Sequence, residues 1–377
     1  MVKVKDRNSN FELMRIISMF AIILSHILGH GKMVVNSTND TITIFLQFLQ
    51  YFVLFHVNSF VLVSGYFQSK STFKLSKFLE LIFQVIFYSL LIVIVFVKLG
   101  LITEVSLPLF IKNMLFTSVN NYWFIKMYVV VYLLSDIINK FINSLDKKAY
   151  ENTLIVLFIV FSLCAYIGGS KFIDNNGYTF YNFIFLYLIG GYIRRYPIKD
   201  SYHFKNMSLN GYRLFLIFIF FLMIFLNYSS EQLAYRIGEG TVISDIYYRI
   251  MANRLGYSTP FVIIQSVCYF LFFETLNIKS KFINYISSCT FGIYLFHDNS
   301  YVRNTIFKVL LIDIGPYDEY YMLIRMVIVL IWIFIAGVII ESIRKLFILI
   351  IRKTKTYKNT TNKIENYLNS FNYKIKW

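Results

Sequence analysis

Apolar residues in this chain come in long, nearly unbroken runs, and short polar or cationic stretches separate them. A run of about 20 apolar residues is what a helix needs to cross a bilayer core. Ten segments reach or approach that length, at about 12–30, 42–66, 78–99, 114–138, 152–169, 178–194, 211–228, 256–275, 286–308 and 321–350. The pattern predicts an all-α, polytopic membrane helical bundle of about ten transmembrane helices. Asn120 and Asn121 interrupt the fourth run, so its helix is expected to begin near Tyr122. His297, Asp298 and Asn299 break the ninth, and the tenth is longer than a span requires. One membrane domain, 1–351, is expected to be followed by a basic, aromatic cytoplasmic tail, 352–377, lying on the anionic inner leaflet.

Composition sharpens this picture. Of 377 residues, 57% are hydrophobic and only 15% charged, against roughly a quarter charged in soluble domains. The net charge of +17 invites a nucleic-acid partner. Its distribution argues for membrane orientation instead, because the cations alternate loop by loop. The rich set holds Lys3, Lys5 and Arg7, then Lys70, Lys74 and Lys77, then Lys140, Lys147 and Lys148, then Arg194 to Arg213, Lys279 and Lys281, and the tail from Arg344. Cation-rich loops face the cytoplasm, which places both termini inside. No small-residue cleavage site follows the first run, so no signal peptide is expected. Cys164, Cys268 and Cys289 lie in or beside apolar runs and read as small core residues rather than a disulfide framework.

Within the runs, charges mark candidate chemistry, because an ionisable group inside a membrane is costly to keep. Arg15 and His26 are eleven residues apart on the first helix. That spacing is within about 20° of three full turns, so the two share a face about 16 Å apart along the axis. Arg15 either snorkels to headgroups or grips a phosphate-bearing ligand with its planar fork. His26 is either a satisfied core histidine or a general base for a hydroxyl. With His30 it forms a His-x-x-x-His pair, but no further ligand is evident and no metal is expected. His56 and Asn58 read as interhelical hydrogen-bonding groups. Ser64 and Gly65 permit close approach of a helix or a ligand, and Lys74 and Lys77 share a face able to hold a polyanion. Trp123 sits at an interface, Lys126 one turn into its helix, and Tyr294, His297 and Asp298 form one polar cluster. Arg325 and Glu341 are further charges in the last run without an evident partner.

These residues together resemble the acyltransferase-3 family, polytopic bacterial enzymes that O-acylate surface polysaccharides. The resemblance rests on Arg15 and His26 with ten residues between them, on FVLVSGYF at 60–67, on NYWF at 121–124 and on SCTFGIYLFH at 288–297. It implies an O-acetyltransferase of the bacterial cytoplasmic membrane, moving acetyl from cytosolic acetyl-CoA to a glycan or lipid-linked oligosaccharide hydroxyl. It also implies roles: His26 with Arg15 in catalysis, and Arg15, Lys74, Lys77, Ser64 and Gly65 on the coenzyme side. Trp123, Tyr294 and His297 then fall on the acceptor side. Where the family commonly carries Arg-x-x-Arg after SGYF, this chain has Lys74-Leu-Ser-Lys77, which keeps charge and loses bidentate geometry. Only the short tail follows the last expected span, so no fused esterase-like domain is expected to finish the transfer. Two other classes fit the composition: a polysaccharide-unit polymerase or flippase, which needs no coenzyme, and a non-catalytic membrane sensor.

Overall fold

A computed structural model describes residues 8–37, 39–102, 122–168, 175–237, 255–307 and 319–353. The first seven residues, Asn120–Asn121, most of the two long loops and the tail beyond Lys353 lie outside the described residues. Among the described residues every regular element is helical. In chain order these are α1 (Asn10–His30), α2 (Met33–Asn36), α3 (Asp40–Val53), α4 (Phe55–Gln68), α5 (Leu75–Lys98) and α6 (Trp123–Ser144). Next come α7 (Lys147–Phe158), α8 (Ala165–Gly168), α9 (Phe180–Arg195), α10 (Leu209–Ile237) and α11 (Pro260–Glu274). The chain closes with α12 (Lys281–Ser287), α13 (Thr290–His297), α14 (Ser300–Phe307) and α15 (Glu319–Lys353).

Local chemistry starts these helices where polar residues punctuate the runs. Asn39 accepts from the Thr41 and Ile42 amides, Asp146 from Ala149, and Thr259 from Val262 just before Pro260. Each side chain satisfies an amide that the first helical turn leaves without an intrahelical partner. The second run is one 29-residue membrane-length helix, Asp40–Gln68, bent at Leu54 where α3 meets α4. Gln265 donates to the carbonyls of Tyr51 (3.3 Å) and Phe52 (3.1 Å) at that bend. A side chain entering the backbone ladder is a known cause of a kink.

Six helices are long and apolar enough to span: Asn10–His30, Asp40–Gln68, Leu75–Lys98, Lys147–Ile167, Leu209–Ser230 and Tyr320–Ile350. The other four expected spans differ from the sequence reading. α6 has 22 residues but carries Lys126, Asp136 and Lys140. α9 and α11 have only 16 and 15, or about 24 Å of helix. The ninth run is divided into α12, α13 and α14. The two short helices α9 and α11 are buried on most faces. Outer helices instead expose apolar side chains such as Phe83, Ile155, Phe218, Phe225 and Leu346, as lipid-facing surfaces do. Cys164 departs from the core expectation as well: it is exposed, whereas Cys268 and Cys289 are buried, and all three are free.

Two apolar cores result, and α1 belongs to both. Phe11, Met14 and Ala21 join the core built on α4, α6, α9 and α11. Ile22, Ile23, Ile27 and Leu28 join the one built on α5, α13 and α15. Small residues bring α4 and α9 into backbone contact. A Cβ on Gly65 would lie against the Tyr187 carbonyl and one on Gly190 against the Leu62 carbonyl, both far inside contact distance. Glu341, without an evident partner in the sequence, is buried between Tyr88, which donates to it at 2.8 Å, and Arg344 at 2.6 Å.

Candidate functional site

At the seam between the two cores lies a cavity of about 320 Å³. Glu12, Arg15, Met19, Ile22 and His26 line it from α1. Their spacing of three, four, three and four residues is one helical stripe. The opposite walls come from His56, Phe60 and Ser64 on α4, Trp123, Phe124 and Tyr128 on α6, and Ser287, Ser288, Phe291 and Tyr294 on α12 and α13, with Tyr257 before α11. Arg15 and His26 therefore open onto one connected space. The start of α1 is fixed by Asn10, which donates to the Phe273 carbonyl at 2.7 Å, and by Tyr269, which donates to the Met14 carbonyl at 3.0 Å.

At one end, Arg15 is already paired. Its Nη1 lies 3.1 and 3.0 Å from the two carboxylate oxygens of Glu12, and Ser287 donates to the same carboxylate at 2.5 Å. The guanidinium is about a third exposed. An arginine in this setting can exchange a carboxylate for a phosphate, because its planar fork donates to paired oxygens of either.

At the other end, His26 stands against two residues of the broken ninth run. His26 Nδ1 is 3.2 Å from Nε2 of His297 and 3.8 Å from Oδ1 of Asp298. Asp298 in turn holds Arg303 at 3.0 Å. His297 Nδ1 is 2.7 Å from the carbonyl of Ile293, one turn back in α13. His26 Nε2 has no hydrogen-bond partner among the described residues, and the ring borders the cavity. Asn299 donates to the Tyr122 hydroxyl, which itself donates to the Leu295 carbonyl. Those bonds hold Tyr122 at φ 54°, a left-handed setting that a bulky residue rarely adopts. The turn aims Trp123 into the cavity, where its ring stacks 5.7 Å from Tyr257 and lies 4.4 Å from Tyr178.

The remaining candidates divide clearly. Ser64, Trp123 and Tyr294 line the cavity with Arg15 and His26. Gly65 faces α9 instead, and its closeness to the Tyr187 backbone explains why a glycine stands there. Lys74 and Lys77 are exposed where α5 begins and are not among the residues lining the cavity. His297 is fully buried behind His26 and does not line it either. His56 bonds Ser25 at 3.0 Å, an interhelical contact as its position implied. Lone-residue reasoning overlooked Glu12 and Ser287, although Glu12 three residues before Arg15 is a visible helical pair. It also overlooked Asp298 as a third group beside the His-x-x-x-His pair. Ligating atoms of His26, His30 and Asp298 lie within 4.8 Å of one another. Arg303 already occupies Asp298 and His297 already engages His26, an arrangement suited to holding a proton.

No curated protein and no solved structure matches the chain. The family model of an acyltransferase domain does match, over residues 8–342, from just before α1 into α15, and so includes every residue that lines the cavity. With its apolar helices and this match over nearly its whole length, the chain is a helical membrane protein that belongs to the acyltransferase-3 family.

Proposed function

We infer that the protein is an O-acetyltransferase that moves an acetyl group from acetyl-CoA to a hydroxyl of an extracytoplasmic or lipid-linked polysaccharide. The observation that carries this reading is the single cavity bordered by the Arg15 guanidinium at one end and an unbonded His26 nitrogen at the other. Family membership favours an acyltransferase over a polysaccharide-unit polymerase or flippase. In the proposed reaction Arg15 grips coenzyme phosphate at the cytosolic mouth, and the pantetheine arm runs along the α1 stripe. Its thioester thereby reaches the neighbourhood of His26. Trp123, Tyr178 and Tyr257 offer aromatic faces on which a sugar ring can lie at the far end.

His26 Nε2 takes the proton of the acceptor hydroxyl as its oxygen attacks the thioester carbonyl. The carbon–sulfur bond breaks, and the departing thiolate recovers that proton from the imidazolium. The products are the O-acetyl ester and free coenzyme thiol. The ten-span topology, with both termini in the cytoplasm of a bacterial cell, belongs to the same proposal. Purified protein in lipid nanodiscs, given radiolabelled acetyl-CoA and the source organism's envelope polysaccharide stripped of esters by mild base, is expected to label the glycan. His26→Ala is expected to abolish labelling while the protein still inserts and purifies as a monodisperse species. Labelling at the wild-type rate by that variant overturns the assignment.

A further inference from the structure

His297, expected from sequence on the acceptor side, is walled off from the cavity and touches His26 instead. With both rings neutral, the hydrogen-bond chain behind His26 has one consistent assignment of protons. A carbonyl oxygen only accepts, so the 2.7 Å contact with Ile293 requires the hydrogen of His297 to sit on Nδ1. In a neutral ring the Nε2 of His297 is then a bare acceptor. The 3.2 Å contact with His26 Nδ1 must be donated by His26. The hydrogen of His26 is thereby held on Nδ1, and the lone pair is left on Nε2, the nitrogen with no partner. The Asp298 carboxylate, 3.8 Å from the same Nδ1 and too far for a hydrogen bond, adds negative charge on that side and favours the same tautomer. Arg303, at 3.0 Å, holds that carboxylate in place. These tautomers are assigned from partners and geometry, the only route for hydrogens that are not seen.

We propose that His297, backed by Asp298, is the positioning residue that fixes the ring and tautomer of His26, so that the bare Nε2 faces the cavity ready to take a proton. The proposal rests on the reading of His26 as general base. His297 and Asp298 touch no substrate; they act through His26. When Nε2 accepts the hydroxyl proton, the ring becomes an imidazolium whose Nδ1–H still points at an imidazole lone pair, with the Asp298 carboxylate 3.8 Å away. The positive charge forms against acceptors already in place, with no side chain having to reorient. The i to i−4 bond inside α13 gives the relay its rigidity, since the Ile293 carbonyl belongs to the same turn as the ring that it holds.

The test follows tautomers and rates together. Protein labelled with ¹⁵N-histidine is reconstituted in nanodiscs, and long-range ¹⁵N–¹H correlation reads which ring nitrogen of His26 carries hydrogen. The same samples are assayed for kcat and for KM of acetyl-CoA with the ester-stripped polysaccharide. Wild type is expected to show His26 as the Nδ1–H tautomer. His297→Gln, whose amide can both donate to Ile293 and accept from His26, is expected to keep that tautomer and hold kcat within about threefold. His297→Leu, which offers no acceptor, is expected to shift His26 toward Nε2–H and lower kcat by roughly 10- to 100-fold, the usual cost of losing an orienting partner. KM for acetyl-CoA is expected to stay unchanged in both. An Nε2–H tautomer in wild type, an unchanged tautomer and kcat in His297→Leu, or a folded Gln variant as impaired as the Leu variant each overturn the proposal. Failure of the general-base reading looks different: His26→Ala stays active while the wild-type tautomer remains as assigned.

Discussion

A single side chain decides how firmly Arg15 is held in reserve. Glu12, itself accepting from Ser287, ties it down, so any phosphate arriving there competes with a carboxylate. Glu12→Gln is therefore expected to tighten acetyl-CoA binding roughly two- to fivefold, corresponding to the ~0.5–1 kcal/mol of a part-exposed pair. Arg15→Gln is expected to weaken it roughly 10- to 100-fold, the loss of a charge-assisted bond of about 1.5–3 kcal/mol. Calorimetry on the nanodisc protein measures both, and a weaker affinity in the Glu12 variant excludes the competition. Arg15 and His26 were legible in the sequence because charge and imidazole stand out against an apolar run. Glu12 was legible in spacing alone. The partners of His26 were not, because His297 and Asp298 come from a segment 271 and 272 positions away, and a helical wheel carries no information across that distance.

Between elements, backbone proximity is the controlling quantity. α4 and α9 touch at Gly65 and Gly190, where no side chain fits. Gly190→Ala is expected to destabilise the bundle by about 1–3 kcal/mol or more, since overpacked interfaces shift the backbone. A lower unfolding temperature in detergent tests it. Gln265→Leu acts at the α3–α4 bend, removing a donor from the Phe52 carbonyl and one of two donors from the Tyr51 carbonyl, which keeps the Leu54 amide at 3.4 Å. A loss of about 1–3 kcal/mol is expected in the same assay. Apolar run length located nearly all these helices. It does not by itself fix the number of spans, and six of the described helices meet both length and apolarity, because run length measures what lipid tolerates. α9 and α11 are largely shielded by protein, so their short, aromatic-rich sequences answer to neighbours instead. The fracture of the ninth run was visible as His297-Asp298-Asn299; the earlier break at Ser288–Cys289 had no comparable signal.

Taken whole, the molecule is two cores that share α1, α3 and α6, with the cavity along their seam. Positive charge alternates from loop to loop, so reporters placed at Ser71 and after Lys353 are both expected on the cytoplasmic face. Opposite faces would exclude the even-span topology. The cores differ in how tightly they are tied. On one side α4 and α9 interlock along the main chain; on the other, α12, α13 and α14 are short pieces joined at two breaks. Ser288, at the first break, borders the cavity, and Asp298, at the second, backs His26. This jointed arm therefore meets the chamber at its first break and the ring of His26 at its second. Occupancy is expected to slow amide hydrogen exchange across 281–307 while leaving α4 and α9 as they were, so that admission and departure of reactants become properties of that arm.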